Sequence, residues 1–329
     1  MFILDSHCDA PMQMIRGRDY CKDNEGAQVD FPKLRRGGVD ASFFALYIPA
    51  SLKGADATAH AYSLLSETTR QVERCEYASF AADAASVRAN LEEGRISVLL
   101  GLENGSALQE DFGILCDLYA KGVRYVTLTH SEDNQICDSC TGQGTWGGLS
   151  PFGRELVREM NRIGMLIDVA HCSDATVRDC LEISDSPLVY THGCCRSLSS
   201  HRRNLPDDLL SAIAHGGGVV GMSVYPCFLS DAYASELESS GLKEGEWDKM
   251  MELPSLPGID AMVSHIMKAV EVCGGEHVGI GTDYDGIEVT PRGMRSASSL
   301  CLLPRALKEA GLSSSLIEGI MGENFLRLL

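Results

Sequence analysis

Histidine, aspartate and glutamate recur in this chain directly after short apolar runs. If the runs are neighbouring strands, that placement gathers the polar groups at one rim. Phe2–Ser6 is followed by His7-Cys8-Asp9. On an extended backbone His7 and Asp9 share one face and Cys8 takes the other, so an imidazole and a carboxylate point together, a pair suited to a divalent metal. Ile96–Leu102 leads into Glu103, Arg124–Thr129 into His130, Met165–Ala170 into His171 and Pro187–Thr191 into His192. His277–Thr282 leads into Asp283, with Asp285 two residues on. Each has a plain reading alone: a histidine after a strand hydrogen-bonds locally, and an aspartate caps a turn. Together they occupy six of eight run ends and include four of the nine histidines, which chance does not explain. Imidazoles and carboxylates without an ordered thiolate set predict zinc, with manganese or iron(II) left open. The donors are too many for one four-coordinate ion. Two ions about 3.5–4 Å apart, bridged by a carboxylate and a hydroxide, would use them.

The elements that must position these groups are the runs themselves, completed by Val39–Ile48 and Val219–Val224. Segments with helical spacing separate most of them. Ser150–Gly164 is the clearest, with a Ser cap, Pro151 at the first helical position, apolar Leu156, Met160 and Ile163, and a terminating glycine. Continuous apolar strands alternating with helices predict a parallel sheet covered on both faces, and eight repeats predict a closed (β/α)8 barrel of the TIM type. A length of 329 residues suits one such domain over 1–329. The polar stretch 230–258, containing Trp247, breaks the pattern and reads as an irregular excursion before a last helix, Ile259–Cys273.

Composition excludes other classes. With 28 basic and 46 acidic residues the formal charge is −18, a surface that repels phosphate backbones and anionic membranes, so neither nucleic acid nor membrane is an expected partner. The opening Met1-Phe2-Ile3-Leu4-Asp5 lacks a basic and apolar leader, and no apolar run approaches spanning length, so a cytoplasmic protein is expected. Thirteen cysteines, an odd number without framework spacing, read as reduced thiols. Cys137 and Cys140 form one Cys-x-x-Cys without the second pair of a structural zinc site, and with Cys194-Cys195 are read as packing residues.

Beyond these spacings, the chain resembles the membrane (renal-type) dipeptidase family of the metal-dependent amidohydrolase barrels. The likeness runs nearly end to end, through Asp5-Ser6-His7-Cys8-Asp9, Gly101-Leu102-Glu103-Asn104-Gly105 and Tyr125 to Ser131 with its Leu-Thr-His-Ser. Gly148 to Gly153, Leu166 to Ser173, Ser200 to Asp208 with its Arg-Arg-Asn-x-Pro-Asp, and Gly281 to Gly286 complete it. The resemblance implies that His7 and Asp9 bind one zinc, His171 and His192 the other, and that Glu103 bridges them. It implies His130 and Arg203 as substrate holders, Asp283 as the acid/base, and dipeptides as substrates, L-Xaa-L-Xaa and L-Xaa-D-Xaa. A homodimer is left open. Three features depart from the family: Asn-Gly follows Glu103 where Gly-Gly is common, Cys172, Cys194 and Cys195 lie near ligands, and the secretory and lipid-anchor signals of the animal enzymes are missing.

The implied chemistry is attack by a metal-bridging hydroxide formed near neutral pH, with Asp283 shuttling the proton to the leaving amine and His130 helping to hold the oxyanion. The planar fork of Arg203 suits a free carboxylate, against a plain reading as a surface ion pair. Tyr225 reads as a packed aromatic. Two other functions stay open: a binuclear amidohydrolase acting on an N-acyl amino acid, lactone or cyclic amide, and a metal-binding barrel without catalysis. The first would not need Arg203 if its substrate lacked a carboxylate. The second would be missing a ligand or Asp283.

Overall fold

The computed structural model describes residues 1–329. Nine strands form one sheet: β1 (Leu4–Cys8), β2 (Ala41–Tyr47), β3 (Ala78–Phe80), β4 (Ile96–Glu103), β5 (Val123–Thr127), β6 (Leu166–Asp168), β7 (Leu188–Gly193), β8 (Val219–Met222) and β9 (Val278–Ile280). Every ladder is parallel, in the order β1-β2-β4-β5-β6-β7-β8-β9. The ring closes above the strands, where Cys8 and Tyr284 form a parallel bridge. There Asp283 N donates to His7 O at 3.0 Å and Asp9 N donates to Tyr284 O at 2.9 Å. This is the (β/α)8 barrel expected from the sequence.

The extra strand, β3, pairs with Ile96–Val98 of β4, below the part of β4 that pairs with β5. Three residues, Ala-Ser-Phe, carry too little apolar pattern to announce a strand. Side chains alternate as the pleat requires. Phe44 and Leu46 join a cluster of 71 buried residues, whereas Phe43 joins a cluster of 12 with Leu99, Tyr125, Val189 and Val219. The rings of Phe43 and Tyr125 lie 5.0 Å apart although β4 separates their strands, so the smaller cluster fills the lumen.

Helix Pro151–Ile163 has the expected ends: Ser150 Oγ accepts from Gly153 N at 2.9 Å, and Gly164 closes it in the left-handed region at φ 79°. Ile259–Cys273 is also a helix over the expected residues. The stretch 230–258 lies outside the strand–helix alternation of the barrel. It holds helices Asp231–Ser240 and Trp247–Met251, which pack around their own apolar cluster of Cys227, Tyr233, Met250, Leu256 and Val289. The core there is small, and the intervening residues are polar enough to mask it in sequence. No helix is long and apolar enough to cross a membrane.

Candidate metal centre

His7 lies in β1, Glu103 ends β4 and His192 lies within β7. His130 and His171 stand three residues beyond β5 and β6, and Asp283 stands three beyond β9. The single level of strand ends read from the sequence is therefore two levels, strand and loop. The geometry nevertheless converges. His7, Asp9, Glu103, His130, His171, His192 and Asp283 form three overlapping ligand sets: His7-Glu103-His192, Glu103-His130-His171 and His7-Asp9-Asp283. Within each set the donor atoms lie within 4.8 Å of one another. Glu103 is the hub. Its Oε2 is 3.5 Å from His7 Nε2, while its Oε1 is 3.1 Å from His171 Nε2, 3.6 Å from His192 Nε2 and 3.9 Å from His130 Nε2. His7 Nε2 also lies 3.6 Å from Asp9 Oδ2 and 4.0 Å from Asp283 Oδ1.

The residues fit divalent metal. His7 is completely buried and its Nε2 has no hydrogen-bond partner, an expensive state for a polar atom unless something coordinates it. Its Nδ1 is already engaged by the Tyr125 hydroxyl at 2.9 Å. The Nε2 atoms of His171 and His192 converge to 2.9 Å. Burial pushes both of these imidazoles well below their usual range, and Arg203 adds to the effect. Burial likewise takes His130 down to about 4. Neutral imidazole is the ligating form. Burial alone would lower His7 as well, but Glu103 and Asp9 outweigh it and hold it above its usual value. Burial, together with Asp9 and Glu103, raises the Asp283 carboxyl, while His7 pulls the other way.

Behind these side chains lies a layer of buried groups. Asp168 Oδ1 accepts from Ala170 N at 3.0 Å and Thr191 N at 2.9 Å, and its Oδ2 accepts from Thr127 Oγ1 at 2.5 Å and Thr191 Oγ1 at 2.7 Å. The same Thr191 hydroxyl contacts His192 Nδ1 at 2.9 Å, so β5, β6 and β7 jointly orient that ring. Asp5 accepts from Thr282 N and Oγ1, at 2.8 and 2.6 Å, and ties β1 to the residue before Asp283. Tyr125 reaches His7 because Gly101 leaves room for its ring; a β-carbon at Gly101 would strike it. Sequence reasoning passed over Asp5, Tyr125 and Asp168. A signal existed: an aspartate inside an apolar strand must find buried partners.

A cavity of about 330 Å³ opens on the centre, walled by Asp9, Glu103, His130, His171 and Asp283 on the metal side. Met12, Gln13, Arg16, Tyr47, Asp285, Gly286 and Glu288 form the rest of the wall. Arg203 does not line this cavity. It is buried, donates through Nη2 to His192 O at 3.1 Å and lies 5.1 Å over the Phe228 ring. No carboxylate pairs with it, and its Nε has no partner. The surface ion pair considered for it is absent. Tyr225 packs edge-on against Phe228, 4.8 Å between centroids. All thirteen cysteines are unpaired, Cys137, Cys172, Cys194 and Cys195 being buried.

The model of the family described as membrane dipeptidase, peptidase family M19, matches residues 1–329. The chain belongs to the membrane dipeptidase family. It is 31% identical to the dipeptidase verJ of Clonostachys rogersoniana over 99% of this chain and 83% of that protein. It is also 31% identical to the dipeptidase aclJ of Aspergillus oryzae, over 92% and 69%. Among solved structures, a metallopeptidase from Rhodobacter sphaeroides, liganded with a phosphinate mimic of the dipeptide L-Ala-D-Ala, superimposes with a TM-score of 0.87 at 23% identity, covering 100% of this chain and 98% of that one. The probable dipeptidase PvdM from Pseudomonas aeruginosa superimposes with a TM-score of 0.88 at 22% identity, over 100% and 94%. These two likenesses show the fold. Like other membrane dipeptidases, the protein is a peptide-bond hydrolase, and its three overlapping sets of histidines and carboxylates could hold metal ions.

Proposed function

We propose that this protein is a zinc dipeptidase that cleaves L-Xaa-L-Xaa and L-Xaa-D-Xaa dipeptides, with two zinc ions per chain and Glu103 between them. One observation carries the reading: the two oxygens of Glu103 face different histidines, Oε2 toward His7 and Oε1 toward His171 and His192. His7 and Asp9 would hold one ion, and His171 and His192 the other. When bound, the pair supplies a water that ionises near neutral pH and positive charge against the tetrahedral oxyanion. The side chains do the remaining work. Asp283, at the cavity wall, takes up the proton as the carbonyl is attacked and returns it to the leaving amine. His130, whose Nε2 lies 3.9 Å from Glu103 Oε1, would hold the substrate and help to stabilise its oxyanion. Arg203, a buried guanidinium without a carboxylate of its own, fits the free C-terminus of a dipeptide. The phosphinate ligand of the Rhodobacter sphaeroides relative supports acceptance of a D residue at the second position.

The test is metal analysis joined to a hydrolysis screen. Fully active protein should carry two zinc ions per chain, and Glu103→Gln should lose metal and activity together. The zinc-loaded enzyme should cleave both dipeptide series and leave tripeptides and N-acetylated dipeptides intact. One tightly bound ion at full activity would sink the two-metal reading. An N-acyl amino acid also offers a carboxylate to Arg203, so preferred cleavage of N-acetyl amino acids would replace dipeptides as the substrate class.

A further inference from the structure

Asp285 lines the cavity beside Asp283, yet its carboxylate is fully engaged. Arg18 Nη1 donates to both of its oxygens at 2.9 Å, the Tyr20 hydroxyl donates to Oδ2, and Gln28 N donates to Oδ1 at 3.3 Å. The Asp285 backbone is held from the same side. Its N–H donates to Gln28 Oε1 at 2.7 Å, and its carbonyl accepts from Gln13 Nε2 at 3.4 Å. All of these partners come from one segment, residues 13–28, which follows β1. The turn they grip is strained. Asp283 and Asp285 both adopt φ of 66°, in the left-handed region that costs a side-chain-bearing residue on the order of 1 kcal/mol. Gly286 is pressed so closely by the carboxylates of Asp9 and Asp283 that a β-carbon there would collide with both. A turn of this kind persists only if its surroundings over-determine it.

We infer that Asp285 is a positioning residue: gripped by Arg18, Tyr20 and Gln28, it holds the strained turn Asp283–Gly286 so that the Asp283 carboxylate meets the reacting atoms. The inference rests on the reading of Asp283 as the acid/base. With its oxygens taken up by Arg18, Tyr20 and Gln28, Asp285 acts through its neighbour.

The test is a double-mutant cycle in the zinc-loaded full chain with Arg18→Met, Asp285→Asn and the pair, with Arg18→Lys alongside. Asparagine tolerates the left-handed region and keeps the shape, so Asp285→Asn removes charge without adding strain. Arg18 is partly exposed and stands off the cavity wall, so its variants report on the grip even if the buried change at Asp285 impairs folding. Each single change should lower kcat tenfold or more with KM within about twofold and zinc content unchanged. The pair should lose little beyond the worse single, as residues acting in one unit do, and Arg18→Lys should recover part of the loss. A folded Arg18→Met with normal kcat, losses that multiply in the pair, or a change confined to KM or Tm would overturn the inference. Asp283→Asn is run beside them: normal turnover there sinks the acid/base reading itself, whereas a strong loss there with a silent Arg18→Met sinks the grip alone.

Discussion

The Tyr125 hydroxyl meets Nδ1 of His7 at 2.9 Å, leaving Nε2 of the same ring as the atom turned toward Glu103, Asp9 and Asp283. A buried phenol from β5 thereby sets the orientation of the first candidate ligand in the chain. Tyr125→Phe keeps the ring in the lumen and deletes only this contact. Zinc affinity should fall about 10–100-fold, the usual scale for a partner behind a ligating histidine. Turnover at saturating zinc should stay within a few-fold. Chelator competition measures the affinity, and an unchanged value would mean that packing alone orients His7.

Arg203 is expected to recognise the carboxylate of the substrate. Arg203→Ala should lower kcat/KM on the order of 10–100-fold or more, since a charged hydrogen bond contributes about 1.5–3 kcal/mol. Arg203→Lys should retain only part of that, because it keeps the charge and loses the fork. Wild-type enzyme that turns over a dipeptide and its C-terminal amide equally well would refute the role.

Asp283→Asn keeps the shape of the side chain but cannot accept a proton. The loss in kcat should reach at least about 10²-fold, with zinc content close to wild type. If the variant instead loses metal, and excess zinc restores its rate, Asp283 is chiefly a ligand.

Asp168 bears on stability. It is fully buried and satisfies four donors from β5, β7 and the residues after β6. Asp168→Ala strands those donors and should cost about 3 kcal/mol or more. It should also loosen zinc binding through the Thr191 contact to His192. Denaturant unfolding of the metal-free protein isolates the stability effect. A midpoint shift worth under about 1 kcal/mol would contradict it.

Sequence made legible what is local. Ser150, Pro151 and Gly164 mark their helix because caps act on the residues beside them. The seven residues of the three ligand sets were also readable, since a polar group after an apolar run is a local pattern even though its partners are far away. What escaped depends on distance. The grip of Arg18 on Asp285 and the reach of Tyr125 past Gly101 join segments that no spacing rule connects. In the sequence Asp285 is only an acid two residues beyond Asp283, and that spacing leaves out that its oxygens are already taken. The left-handed backbone of His171 and Asp283 was equally hidden, because neither is a glycine and long-range packing imposes the conformation. The helices around Trp247 leave no mark in the sequence because a five-residue apolar cluster is too sparse to show as periodicity.

The ring closes between its first strand and its last. Thr282 bonds to Asp5 across 277 positions, and Ser6 Oγ donates to Ile280 O across 274. During synthesis the residues at the head of the chain therefore wait for nearly all the rest before the seam can form. Contacts of such span close late and slowly. His7 and Asp9 stand on one side of that seam and Asp283 on the other. A chain interrupted before β9 would be left with an open curl of strands that carries every proposed ligand but lacks Asp283, so activity should appear only once the last sixth or so of the chain, from Val278 on, has been made, as a single late event.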